Sequence, residues 1–132
     1  MGEIQDLIQF ESRQDRIVFQ EFVNDQGNLF GGNAMKWMDE VAYIAAKQFT
    51  RQRMVTVSAE RVKFLLAVPI GAIVKVRAKI LSAGPVKLVI STKIWSDVNQ
   101  EPGRIKAIEG KFIFAAVDAG GNPIRLINTG QN

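Results

Sequence analysis

Hydrophobic and polar positions divide this chain into one helical stretch and several extended ones. From Asn33 to Phe49 there is neither Gly nor Pro. At about 100° per residue, Asn33, Lys36, Glu40, Tyr43 and Lys47 fall in one narrow polar stripe. Ala34, Met35, Trp37, Met38, Val41, Ala42, Ile44, Ala45, Ala46 and Phe49 fill the remainder, so the spacing predicts a helix that is apolar nearly all round and therefore buried. Asp39 is the exception. It lies at the stripe's border beside Met35, Ala42 and Ala46, and the wheel leaves two readings open: a solvated edge residue, or a functional carboxylate in a cleft. Turn formers precede the helix at Asn24, Asp25, Gly27 and Asn28, followed by the Gly31-Gly32 pair.

On either side of the helix the pattern is extended. Residues 1–12 read as a lead-in or edge segment, and Arg13–Val23 as a first strand carrying Ile17, Val18, Phe19 and Phe22. Met54–Phe64 is rich in β-branched residues and has no breaker. Leu65–Gly71 ends in Pro69 and Gly71 and predicts a turn or bend. In Ala72–Leu81, Val74, Val76, Ala78 and Ile80 alternate with Lys75, Arg77 and Lys79. A turn at Ser82–Pro85 leads to Val86–Ser96, with Val86, Leu88, Ile90 and Ile94 on one face and Lys87, Ser91 and Lys93 on the other. Asp97–Gly103 is a loop, and Arg104–Val117 a last long strand with Phe112, Phe114 and Ala116 on one face. Asp118–Pro123 is a turn, and Ile124–Asn132 a fraying tail. One strand, one long helix and four strands with short connections predict an α+β domain. Its later strands form an antiparallel meander, and its sheet curves around the helix that covers its apolar face.

Composition narrows the chemistry. The 132 residues suffice for a single domain, taken as 1–132. No apolar run approaches the roughly 18 to 20 residues of a membrane span, and the N-terminal sequence has no secretory pattern. With no cysteine there is no disulfide, thiolate metal site or cysteine nucleophile, and with no histidine there is no Ser-His-Asp triad. Acid–base chemistry, if present, falls to Asp, Glu, Lys or Tyr. The net charge of +4 favours an anionic partner, either nucleic acid or a phosphorylated small molecule. The basic strands bring only Trp95 as an aromatic, which argues against a base-stacking platform.

The run Asn24-x-x-Gly27-x-Leu29-Phe30-Gly31-Gly32, followed by Trp37-Met38-Asp39-Glu40 and Ala45-Ala46, resembles the signature of hotdog-fold acyl-CoA thioesterases, the cytosolic acyl-CoA hydrolases. The likeness continues through Val55-Thr56-Val57, Val62-x-Phe64 and Pro69-x-Gly71 to Phe112-Ile113-Phe114-x-Ala116-Val117-Asp118, in order over about residues 15–125. After Gly84, where many members carry small hydroxyl residues, this chain has Pro85, Val86 and Lys87, which bears on acyl preference more than on chemistry.

The resemblance implies a hotdog fold, about five antiparallel strands wrapped around a central helix, and hydrolysis of acyl-CoA to a free acid and CoA. It implies that Asp39 is the catalytic carboxylate, activating a water or attacking the thioester directly. It implies that the Gly31 and Gly32 amides polarise the thioester oxygen at the helix start. Asn24 would orient the water or carbonyl, and Thr56 would add a hydroxyl across a subunit interface. For these residues the plainer readings are a glycine turn needing positive φ or close packing, an ordinary turn former and a half-exposed strand threonine. No metal or cofactor is expected beyond the CoA of the substrate. The partners implied are acyl-CoA and further copies of the chain, at least a dimer and by likeness a hexamer built as a trimer of dimers, with neither nucleic acid nor membrane. One or two of Lys75, Arg77, Lys79, Lys87 and Lys93 are candidates for CoA phosphates. Leu65, Leu66, Val86 and Ile113 are candidates for the acyl tunnel. A non-catalytic acyl-CoA sensor on the same fold is the alternative function, and a hotdog dehydratase is disfavoured because its usual histidine is absent.

Overall fold

The computed structural model describes residues 10–97 and 105–127. Strand β1 (Glu11–Ile17) leads through a 3-10 turn (Gln20–Phe22) to helix α1 (Gly31–Thr50), and β2 (Met54–Phe64), β3 (Ile73–Ala83), β4 (Lys87–Ser96) and β5 (Ile105–Ala116) follow. Among the described residues the strands form one antiparallel sheet in the order β1-β3-β4-β5-β2. This is the hotdog arrangement, and α1 is its filling. Val74, Val76, Ala78 and Ile80 of β3, Leu88, Ile90 and Ile94 of β4, and Phe112, Phe114 and Ala116 of β5 are all buried, as their alternation predicts. Against them α1 buries Ala34, Trp37, Met38, Val41, Ala42, Ala45, Ala46 and Phe49. Each fully buried Leu, Ile or Phe in this interface contributes about 1.5–3 kcal/mol of transfer free energy. Among the described residues no helix is long and apolar enough to cross a membrane.

Six expectations need correction. The first strand ends at Ile17, because the chain tightens into the 3-10 turn, where the Phe22 N–H bonds the Phe19 carbonyl at 3.0 Å. That turn presents the Phe22 ring edge-on to Trp37, with centroids 5.1 Å apart, and leaves Phe19 exposed. The helix begins at Gly31, two residues early, because both glycines adopt helical backbone. It is also not buried all round: Ile44 is exposed beside Tyr43. The meander comprises only β3, β4 and β5, since β2 pairs with β5 at the opposite edge from β1. Residues Leu65 to Ala72 are therefore a crossover. Eight extended residues reach about 26 Å, ample for three strand spacings of about 14 Å in all. The crossover is pinned on its way by Leu65 N–H to Ala107 O (2.7 Å), Leu29 N–H to Val68 O (2.7 Å) and Ile70 N–H to Gly27 O (2.9 Å). Finally, the tail is tied down as far as Ile127: Leu126 N–H meets Pro85 O at 2.7 Å, and Ile127 N–H meets Gln52 Oε1 at 2.8 Å. Most of the predicted Asp97–Gly103 loop, Arg104 and the last five residues lie outside the described residues.

Edge strand β2 positions the site. It carries two bulges, one between Thr56 and Ser58 and one between Glu60 and Lys63. Each inserts one residue relative to β5, so the side-chain alternation resets twice. The cross-strand pairs Thr56–Phe114, Ala59–Phe112 and Phe64–Ile108 therefore all fall on the helix side. At the second bulge Arg61 adopts a left-handed backbone (φ 53°), and Val62 turns inward opposite Gly110. A Cβ on Gly110 would lie 3.0 Å from Val62 Cγ2 and 3.5 Å from Met38 Cε, so the glycine is what admits Val62 to the core.

Candidate active site

Asp39 sits half-buried on α1, two turns past the helix start, where β2 passes with Thr56 facing inward. The Thr56 hydroxyl donates to Asp39 Oδ1 at 2.8 Å. One carboxylate oxygen is thus held and oriented while the other is left to act on something else. Beside it opens an apolar depression of about 320 Å³ lined by Asp39, Glu40, Tyr43 and Ile44. Neighbouring contacts fix this part of the helix: the Tyr43 ring meets Phe114 edge-on, and Arg16 lies over Trp37 and pairs with Glu40 at 3.3 Å. Asp39 is therefore a half-buried rim carboxylate with a specific partner.

The other candidates gather at the helix start. The first intrahelical amide bond is Ala34 N–H to Phe30 O at 3.0 Å, and Phe30 supplies no side-chain cap. The preceding amides of Gly31, Gly32 and Asn33 thus form the uncapped, partly positive end of the helix. Neither glycine has positive φ, and the tighter of their two surroundings is at Gly32. A Cβ on Gly31 would stand 3.4 Å from the Phe64 ring, and one on Gly32 would stand 3.2 Å from the Phe30 ring. Asn33 Nδ2 donates to the Phe22 carbonyl at 3.1 Å and locks the helix start to the preceding turn.

Asn24 is first of all a turn former. Its Oδ1 accepts from the Gln26 and Asn28 amides at 3.0 and 3.1 Å, and its Nδ2 has no partner among the described residues. It also lines a cavity of about 300 Å³ with Gln26, Asn28, Phe64, Leu65 and Leu66. Two of the four proposed tunnel residues, Leu65 and Leu66, are there; Ile113 lies half-buried on the outer side of β5 opposite Ser58. Within one protomer, then, the five candidates form two groups. Asp39 and Thr56 make one, and Asn24 with the Gly31-Gly32 amides makes the other. Eight helical residues, about 12 Å of axis, separate Gly31 from Asp39.

The sequence pattern did not reveal the Phe30 and Phe64 rings that flank the glycines, or the Tyr43–Ile44 wall beside Asp39. Phe64 reaches Gly31 because the β2 bulges bring it to the helix side, which hydrophobic alternation does not encode, whereas Phe30 is the residue that directly precedes the glycine pair. The Tyr43–Ile44 wall was hidden because the helical wheel assigned Tyr43 to a polar stripe. Among the described residues no group of three or more Asp, Glu, His or Cys is placed to hold a metal ion.

Comparison with known proteins places this geometry. The family model described as Thioesterase superfamily matches residues 26–102. The chain belongs to the Thioesterase superfamily. Acyl-CoA thioester hydrolase YciA of Salmonella typhimurium is 38% identical over 103 residues, 76% of this chain and 77% of that protein. Its Escherichia coli K12 counterpart is 37% identical over 106 residues, 78% of this chain and 80% of that protein. The acyl-CoA hydrolase of Staphylococcus aureus, solved with butyryl coenzyme A and coenzyme A, superposes with a TM-score of 0.85 at 26% identity, covering 92% of this chain and 74% of that one. Its alanine variants at an aspartate, a threonine and an asparagine have also been solved. The hexameric thioesterase of Yersinia pestis gives a TM-score of 0.79 at 30% identity, covering 86% and 93%.

Proposed function

We propose that this chain hydrolyses acyl-CoA, releasing the carboxylic acid and CoA, at a site built from two copies of itself. The reaction class rests on the acyl-CoA hydrolases it is similar to. The observation that carries the residue assignment is the Asp39–Thr56 hydrogen bond of 2.8 Å beside the apolar depression. The three residues varied in the Staphylococcus aureus enzyme follow one another in the same order, and at the same intervals, as Asn24, Asp39 and Thr56 here.

In this reading Asp39 Oδ2 takes a proton from water as the water oxygen bonds to the thioester carbon. The negative charge that develops on the former carbonyl oxygen is met by the amides at Gly31 and Gly32, preorganised donors backed by the helix dipole. Collapse of this adduct breaks the C–S bond, and the proton held by Asp39 passes to the departing thiolate. No resident metal or cofactor is required by this scheme. Asn24, its Oδ1 committed to the turn, offers Nδ2 to the water or the carbonyl.

Separation of the two groups within one protomer argues that each site takes Asp39 and Thr56 from one copy, and Asn24 and the glycine amides from another. An edge strand with Val55 and Val57 about half exposed, next to exposed Tyr43 and Ile44, provides the surface for such a pairing. A second set of exposed apolar residues, the cross-strand pair Ile17–Ile73 together with Phe19, lies at the opposite edge and suits further assembly, as in the hexameric relative. The test is thiol release by the purified protein across acyl-CoAs from acetyl to palmitoyl. Turnover with a defined chain-length optimum supports the proposal; tight acyl-CoA binding with no turnover would replace it with a sensor.

A further inference from the structure

On the outer face of the sheet, away from Asp39, the second β2 bulge creates a pocket of about 230 Å³ lined by Arg61, Lys63, Ser91, Lys93, Glu109, Gly110 and Lys111. Four of these side chains are cationic. The single acid, Glu109, is already engaged by Lys106 at 2.6 Å, and its carboxyl is held below the usual range by that bond and by the fields of Lys106, Lys63 and Lys93. Glu60, the cross-strand neighbour of Lys111, accepts from the Ser58 hydroxyl at 3.3 Å and does not line the pocket. Glu109 is the cross-strand partner of both Lys63 and Lys93, so the lining sets four cations against one carboxylate that Lys106 also engages.

The other basic residues of this face are spent differently. Arg77 and Lys79 both pair with Glu11, at 3.3 and 3.7 Å, and Lys75 and Lys87 lie outside the pocket. The residue at the mouth is also in an unusual state. Arg61 holds φ at 53°, a bulge position where glycine is the unstrained choice. The backbone there is set by the inward turn of Val62 over Gly110, which explains the left-handed conformation but not why an arginine occupies it.

We propose that this outer basic pocket binds a phosphate-bearing small molecule. Guanidinium and ammonium groups converging with the Ser91 hydroxyl suit the oxygens of a phosphate or diphosphate. Two sources share this chemistry. One is the nucleotide end of a coenzyme A thioester, in which case the pocket extends the site proposed above and rests on that reading; the other is a separate phosphorylated effector.

The experiment titrates the full-length protein with inorganic pyrophosphate by calorimetry. The Lys93→Gln/Lys111→Gln variant is compared with a Lys47→Gln/Arg125→Gln control that removes the same charge at exposed positions outside the pocket. Binding is expected to weaken at least about tenfold in the pocket variant and to change little in the control. Arg61→Gly is expected to weaken binding while raising the melting temperature, because glycine relieves the left-handed strain. Equal losses in pocket variant and control, or no detectable binding to the wild type, overturn the proposal. Kinetics then assign the source. A KM raised for acyl-CoA but unchanged for the same acyl group on pantetheine, which lacks phosphate, assigns the pocket to the coenzyme. Unchanged KM for both, with pyrophosphate binding still lost in the variant, assigns it to an effector. The calorimetric result stands or falls whether or not the chain is a thioesterase.

Discussion

At the scale of single residues, the Asp39–Thr56 pair is the arrangement with the clearest chemical consequence. Thr56→Val removes the donor that orients the carboxylate while keeping the shape, and is expected to lower turnover roughly tenfold, the worth of one hydrogen bond to a charged group. Thr56→Ser should retain most activity; steady-state kinetics with one acyl-CoA check both. Asp118 illustrates a structural role for a carboxylate. Its Oδ1 accepts from the Asn122 and Gly120 amides, both at 2.9 Å, and these bonds hold its carboxyl below the ordinary 3.8. A lowered folded-state value means stabilisation that is present above the ordinary value and lost as pH falls through the folded one. The melting temperature of Asp118→Ala should therefore lie below wild type near neutral pH, and the gap should close in acid; a gap that widens in acid would contradict this. Of the two carboxylates, Asp39 was visible in the sequence as a charge on an otherwise apolar border. Its partnership with Thr56 was not, because the register of an edge strand against a helix is decided by bulges.

At the scale of elements, β2 differs most from its sequence reading. Its β-branched pattern announces a strand, and the strand is there, but two bulges and a crossover give it a place at the far edge that its neighbours in sequence do not suggest. The short Leu65–Gly71 connection looks like a turn because Pro69 and Gly71 are turn residues; it becomes a crossover because its amides find carbonyls on β5 and the pre-helix loop. By contrast the inward residues of β3 and β4 from Val74 to Ile94 and most of the apolar face of α1 were legible, since burial on one face is what the pattern records, with Ile44 the exception. Gly110 is the residue that lets the second bulge close onto the helix. Gly110→Ala is expected to destabilise the fold by about 1–3 kcal/mol through crowding against Val62 and Met38, seen as a lower urea midpoint at unchanged slope. A neutral result would mean that Val62 does not occupy the hollow.

At the scale of the whole molecule, one copy holds Asp39 with Thr56 and, about 12 Å away along the helix axis, the Gly31 and Gly32 amides, and the proposed site takes one group from each of two copies. That division predicts complementation. Asp39→Asn and Asn24→Ala subunits, inactive alone, should regain roughly a quarter of wild-type activity when refolded together, because half of randomly formed dimers are mixed and each has one intact site. No recovery would confine the site to single copies. The measurement that bears most directly on the account is thiol release by Asp39→Asn, compared with wild type at matched oligomeric state. The account predicts a fall of about 10²–10⁴-fold in turnover with the fold and assembly retained. Turnover within a few-fold of wild type would contradict it and remove Asp39 from the chemistry.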